Sequence, residues 1–304
     1  MRNHEWPGWE TVRPLGKGSI SQVYEIESHH GETVEKAALK VISVPVKRTE
    51  IEDMFVEGYD RADIADFFKS QAESIAASFS WMHKLNGHEN ILGCDGIRCV
   101  PHSDGIGWDV LIKMEQATPL LKTLPEQISV ETVTQIAKAL CSALVEAQHY
   151  GIVHKDIKPQ NVYVSQDGTY KLGNFGMADA TEKLVSSIQV ESYTYMAPEV
   201  YRNQPHSKAS DIYALGLVLY WLLNERRIPF LPLPPANVNA EMRHEARTKR
   251  LAGMRFPLPA HGNDFLKKIV MRACAYSASE RYQTAEEMLE DLVPDETIDN
   301  FRRG

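Results

Sequence analysis

The sequence predicts an α+β fold in which strands come first and helices follow. Residues 12–44 alternate apolar and polar side chains with turn residues between them, as antiparallel strands do. Beyond Ser129 the apolar period changes. Val133, Ile136, Ala137, Leu140 and Leu144 recur at helical spacing, which is core packing, with Ser129 placed to cap the helix. Residues 212–223 form the longest apolar run, too short to cross a bilayer and suited to a buried helix. With 304 residues, 43% apolar and 24% charged, the chain has material for one large domain or two lobes.

Charge and cysteine usage narrow the class. A formal net charge of -8, with no basic patch interleaved with aromatics, argues against nucleic acid or an anionic membrane as the main partner. Cys94, Cys99, Cys141 and Cys274 include no C-x-x-C pair, so reduced, buried thiols are expected rather than a zinc site. Residues 1–10 contain no apolar run of the kind a signal peptide needs. A cytoplasmic location is expected.

Taken in order, the chain opens on Leu15-Gly16-Lys17-Gly18-Ser19-Ile20-Ser21-Gln22-Val23-Tyr24, where two glycines allow backbone N–H groups to approach a phosphate. Alone, that spacing fits an ordinary hairpin turn, but Ala38-Leu39-Lys40 follows on a later strand. Residues 45–72 are acidic and helix-prone and read as an extra helix covering the strands, with a docking site for a partner as the alternative. A further helix is expected over residues 72–85, stopped by Asn86-Gly87. Residues 109–114 form a strand that runs into Met114-Glu115-Gln116-Ala117. After the helix capped by Ser129, residues 162–164 and 170–172 pair as a short hairpin around Asp167-Gly168. Asp211 starts the apolar helix, residues 229–235 are proline-rich and extended, and Thr284-Ala285-Glu286-Glu287 is a capping box.

The chemistry concentrates in His154-Lys155-Asp156-Ile157-Lys158-Pro159-Gln160-Asn161, with Asn174-Phe175-Gly176 thirteen residues beyond Asn161. A carboxylate, a lysine two residues on and an amide three beyond that suit phosphoryl transfer. The carboxylate orients a hydroxyl nucleophile, the lysine stabilises the moving phosphoryl group, and the amide oxygen holds a divalent metal. With these motifs the chain resembles the eukaryotic-type Ser/Thr protein kinases over about residues 9–293. The resemblance implies a two-lobed protein kinase-like fold. Residues 1–114 would form a small antiparallel lobe with a regulatory helix, 115–119 a hinge, and 120–304 a larger, mostly helical lobe.

The same resemblance implies roles. Asp156, Lys158 and Lys40 would be catalytic. Gly16, Gly18, Val23, Ala38, Lys40, Met114, Glu115, Ala117 and Tyr163 would contact ATP, and Asn161 and Asn174 would hold Mg²⁺ or Mn²⁺. Asp211 would bind the catalytic-loop backbone, and Arg281 would pair with Glu199 of Met196-Ala197-Pro198-Glu199. Ser192 stands at the family's activation-segment threonine, and Thr181, Ser186 and Ser187 are further hydroxyls of that segment.

Three departures bear on activity. Asn174 replaces the family's metal-binding aspartate. The regulatory-helix glutamate position falls on Ser78, while Glu73, five residues earlier, lies about 140° around the helix. Lys155 replaces an arginine, giving a point charge in place of a fork. The expected function is transfer of the γ-phosphate of ATP to protein Ser/Thr, weakened by Asn174 and Ser78. The alternatives are a pseudokinase scaffold and, less in keeping with Lys158 and the Ala197-Pro198-Glu199 segment, a small-molecule kinase.

Overall fold

A computed structural model describes residues 6–184 and 194–293. The chain divides into two compact units, one holding Met1–Ala117 and Gly173–Ile188, the other Thr118–Leu172 and Gln189–Gly304. The stretch that begins at Gly173 therefore belongs with the first unit, although it follows the catalytic loop in sequence.

The first unit is built on a five-stranded sheet of order β1-β2-β3-β5-β4, antiparallel throughout. Its strands are β1 (Glu10–Lys17), β2 (Ser21–His30), β3 (Thr33–Val44), β4 (Cys94–Pro101) and β5 (Trp108–Met114). The alternating pattern of residues 12–44 is thus three strands in series. Partners opposite one another in antiparallel strands share a face. The pairs Gly16–Val23, Val23–Lys40, Lys40–Ile112 and Ala38–Met114 therefore put Gly16, Val23, Ala38, Lys40 and Met114 on one face.

The opposite face carries Ile26, Ala37, Leu39, Val41 and Leu111, over which Trp6 and Trp9 pack. Lys113 lies 4.1 Å above the Trp9 ring and Arg98 5.8 Å above that of Trp6. The two tryptophans cover a sheet face that would otherwise be wet.

Two helices follow β3. These are α1 (Thr49–Val56) and α2 (Arg61–Ala77). Asp60 caps α2 by accepting from the N–H groups of Ala62 and Asp63, and Ile64, Phe68, Ala72 and Ile75 form its buried stripe. This corrects two expectations. The regulatory helix begins eleven residues before position 72, inside the acidic segment, and ends at Ala77. A 3-10 turn over Ser80–Lys84 replaces its last turns. The extra helix α1 packs only lightly: none of its residues is fully buried, and Ile51 and Met54 are half-buried.

The second unit is organised around α4 (Val130–His149), capped by Ser129, whose hydroxyl accepts from the N–H of Thr132 at 3.0 Å. All five residues of its predicted apolar face are buried. Before it lie β6 (Thr118–Pro119) and the single turn α3 (Leu120–Thr123). After it come β7 (Val162–Val164) and β8 (Tyr170–Leu172), paired as predicted. In the first unit, α5 (Met177–Leu184) forms a helix that sequence periodicity did not announce.

The rest is helical: α6 (Pro198–Tyr201), α7 (Lys208–Leu223), α8 (Ala240–Leu251), α9 (Asp264–Ala273) and α10 (Ala285–Leu292). The apolar helix α7 starts three residues before Asp211, because Ser207 and Ser210 form a reciprocal capping box there. Thr284 caps α10, but Glu287 closes onto the N–H of Gln283 rather than that of Thr284, so the predicted box is only half made. Residues 229–235 fold into two turns instead of one extended run.

Candidate active site

In the second unit the catalytic loop hangs on one buried carboxylate. Asp211, 3% exposed, accepts the backbone N–H of His154 at 2.7 Å and that of Lys155 at 2.9 Å. Lys155 adopts a left-handed backbone (φ 69°), and these bonds fix the loop at that bend. Burial pushes the Asp211 carboxyl up to about 7, while the two N–H bonds and the charge of Lys155 pull the other way. His154 is buried, and its Nδ1 accepts from the N–H of Asp156 at 3.3 Å.

On this support sit the three side chains expected to act. Lys158 Nζ lies 2.8 Å from Asp156 Oδ2. Asn161 Nδ2 donates to the same carboxylate oxygen at 3.0 Å and to the Asp156 carbonyl at 2.6 Å. Because its amide nitrogen faces Asp156, a metal at Asn161 would take the Oδ1 atom. Tyr163 is half-buried on β7, opposite Pro119.

A second anchor holds Glu199. Arg281, fully buried, makes a fork with its carboxylate: Nη1 to Oε1 at 2.7 Å and Nη2 to Oε2 at 2.9 Å. Burial works to raise the Glu199 carboxyl. The hydrogen bonds from Arg281, its own backbone N–H and Ser210, with the guanidinium charge, outweigh it and hold the group below its usual range. Arg250 is buried as well. Its Nη1 donates to the Met196 carbonyl at 2.6 Å, and it shares the Tyr213 ring with Arg281. Sequence reasoning missed Arg250, since an arginine in the last turn of a polar helix looks like a solvated C-terminal charge.

In the first unit, Gly16 and Gly18 lie at the exposed β1–β2 turn, which Gly18 closes by donating its N–H to the Ser21 carbonyl at 2.7 Å. Met114 is buried at the end of β5, and Glu115 donates its N–H to the Gly93 carbonyl at 3.1 Å. Ala117 follows as the last residue of this part of the unit. Lys40 is 5% exposed, and its ammonium donates to Asn174 Oδ1. Asn174 has φ 66°, a left-handed conformation that asparagine and aspartate tolerate best among residues with a side chain.

The end of α2 meets the segment beyond Asn174. Gly176 has φ 78°, and a Cβ there would lie 2.6 Å from the Ser78 carbonyl oxygen, so only glycine fits. Lys183 of α5 then donates to Ser78 Oγ at 2.7 Å and to the Ser74 carbonyl at 2.5 Å, while Gln71 donates to the Lys183 carbonyl at 3.0 Å. Ser78, at the position of the family's glutamate, is thus bonded to Lys183, and Glu73 is exposed. Thr181 turns its hydroxyl into α5 itself, onto the Met177 carbonyl. Ser186, Ser187 and Ser192 lie outside the described residues.

The whole of this site falls inside a match to the protein kinase domain family over residues 9–293. The chain belongs to that family, in its eukaryotic-type Ser/Thr branch. Several bacterial kinases resemble it. The probable serine/threonine-protein kinase PknB of Lactococcus lactis is 28% identical over 97% of this chain and 43% of its own length. The serine/threonine-protein kinase PrkC of Bacillus subtilis is 34% identical over 52% of this chain and 24% of its own. PknB of Mycobacterium leprae is 31% identical over 56% and 26%. The kinase domain spans less than half the length of these curated relatives.

The donor set of the kinase domain fits a tightly held divalent cation poorly. Asn161 and Asn174 are neutral amides, and Asn174 Oδ1 already accepts from an ammonium. Magnesium favours charged oxygen ligands. Among the described residues no three His, Cys, Asp or Glu side chains are grouped to hold a metal ion. None of their helices is long and apolar enough to cross a membrane.

Proposed function

We propose that this domain binds ATP and is a Ser/Thr protein kinase of weak or no activity as the sequence stands. The observation that carries the reading is the Asp156–Lys158–Asn161 set, seated on a buried Asp211. Asp156 would accept the proton of a substrate hydroxyl as it attacks, and Lys158, already beside it, would stabilise the phosphoryl oxygens. We assign Gly16, Gly18, Val23, Ala38, Lys40, Met114, Glu115, Ala117 and Tyr163 as nucleotide contacts. Asn161 and Asn174 would be the residues to hold Mg²⁺ or Mn²⁺, which would supply charge neutralisation to the nucleotide phosphates. The neutral amide at 174 is the reason for expecting weak turnover.

A protein substrate is favoured over a small molecule by the anchored Ala197-Pro198-Glu199 segment, which Arg281 and Arg250 fasten from two sides. Four free cysteines support a reducing, cytoplasmic setting. The scaffold reading rests on a different observation: Lys40 is bonded to Asn174, and Ser78 to Lys183.

Thermal melts and labelled-phosphate transfer to a generic protein substrate, each with Mg²⁺ and with Mn²⁺, test the reading. A ligand present at a hundredfold excess over its dissociation constant stabilises the folded state by about 2.7 kcal/mol, so millimolar ATP is expected to raise the melting temperature. No shift with ATP or ADP and either metal overturns nucleotide binding and leaves the scaffold.

A further inference from the structure

The acidic insertion ahead of α2 offers an apolar surface that is exposed among the described residues. Helix α1 ends in a Schellman turn. Gly58, at φ 95°, donates to the Phe55 carbonyl at 3.1 Å, and Tyr59 donates to the Met54 carbonyl at 3.1 Å. This turn brings Phe55, Val56 and Tyr59 into a short stretch where they are 45%, 88% and 49% exposed. Phe67, two turns into α2, is 51% exposed and stands edge-on to the buried Phe68. Large apolar side chains clustered this way on a polar rim mark an interaction surface rather than a solvated face.

Charge selects the occupant. From Thr49 to Lys69 there are seven carboxylates and two cations, which is strongly negative against the average of the chain. Glu50 and Asp60 are engaged locally, accepting from the N–H of Lys47 and from the first turn of α2. Glu52, Asp53, Glu57, Asp63 and Asp66 are exposed around the apolar residues. A second copy meeting this face through its own would oppose carboxylate to carboxylate. An anionic lipid surface would be repelled likewise. We propose that the α1–α2 corner, centred on Phe55, Val56 and Tyr59, docks a cationic amphipathic segment of a partner protein. Its apolar side chains would lie on the corner, and its lysines or arginines on Glu52, Asp53, Glu57 and Asp66.

The test is fluorescence anisotropy with three labelled synthetic helices. One has a Leu/Phe face flanked by lysines, the second has glutamates for the lysines, and the third has serines for the apolar residues. The parent chain is expected to bind the first at least about tenfold more tightly than either control, a margin of about 1.4 kcal/mol. The Phe55→Ser/Val56→Ser double variant is expected to lose that margin with an unchanged melting temperature. Glu52→Lys/Asp53→Lys is expected to move the preference towards the glutamate helix. The proposal is overturned if the double variant binds like the parent, or if the parent does not discriminate among the helices. A clear drop in the double variant's melting temperature also overturns it, because the residues would then be core. So does a concentration-dependent dimer of the parent that the double variant abolishes, because the occupant would then be a second copy.

Discussion

Asp156 and Lys40, the two charged groups expected to act on opposite ends of the same reaction, are held by different chemistry. In the second unit Asp156 meets a lysine at 2.8 Å and an amide at 3.0 Å, on a loop bonded to a buried carboxylate. In the first unit Lys40 meets the neutral Asn174, and the helix that would carry its carboxylate partner is bonded at Ser78 to Lys183. At equal burial a charge paired with a charge is held more strongly than a charge paired with an amide, although Lys158 and Asp156 remain partly exposed. Two of the three departures from the family pattern, Asn174 and Ser78, lie in the first unit, and the third, Lys155, lies in the second. Lys183 satisfies a carbonyl near the end of α2, where the helix dipole favours a cation.

The largest effect is expected where the second unit is strongest. Arg281→Ala would leave Glu199 without its fork and is expected to destabilise that unit by about 3–5 kcal/mol, read from denaturant unfolding. Arg281→Lys should recover only part of this, since an ammonium cannot make both bonds. An unchanged curve for the alanine variant would place the pair outside the unit's cooperative core.

Next comes the weak point of the first unit. Asn174→Asp is expected to raise Mg²⁺-dependent phosphoryl transfer by about a hundredfold, two factors of about 1.36 kcal/mol each. Asp156→Asn in that background is expected to abolish the gain. If Asn174→Asp binds nucleotide and metal yet transfers nothing, the difference between the units is not the missing ligand.

The third test uses pH. The Asp211 carboxyl titrates at about 7 in the folded chain and at an ordinary acidic value when unfolded. Between those limits the native state holds the extra proton, so its stability falls as pH rises from about 4 to about 7 and then levels off. Melting temperatures across that range are expected to decline, and Asp211→Asn is expected to remove the slope while lowering the curve throughout, because one of the two N–H acceptors is lost. A slope unchanged by Asp211→Asn would assign the titration to another group.

The smallest effect sharpens the comparison most. Ser78→Glu is expected to leave transfer unchanged even beside Asn174→Asp, because the new carboxylate would meet Lys183, already 2.7 Å from Ser78 Oγ. Lys183→Ala alone is expected to cost about 0.3–1 kcal/mol and to speed amide exchange at the end of α2. Only Ser78→Glu with Lys183→Ala should add to the Asn174→Asp rate. A gain from Ser78→Glu alone would show that the contact with Lys183 does not hold the helix.

What the sequence determined by itself is local and periodic. The strands of residues 12–44, the buried face of α4 and the paired β7 and β8 follow from apolar spacing, which acts over a few residues. The Asp156–Lys158–Asn161 set and the Glu199–Arg281 pair were legible because a family resemblance ties residue types to fixed positions. What only the tertiary structure decided depends on partners distant in sequence. The regulatory helix starts at Arg61 because Asp60 caps it and Phe68 finds a core, and it stops at Ala77 where Gly176 passes against Ser78. Helix α5 has a weak pattern of its own, and its contacts with α2 run through Lys183, more than a hundred residues away. Arg250 is polar in sequence and buried in the fold because Met196 and Tyr213 receive it. Local spacing settles which face of an element is apolar. Which partner then meets that face, and which charge meets which, is settled only when the chain has folded.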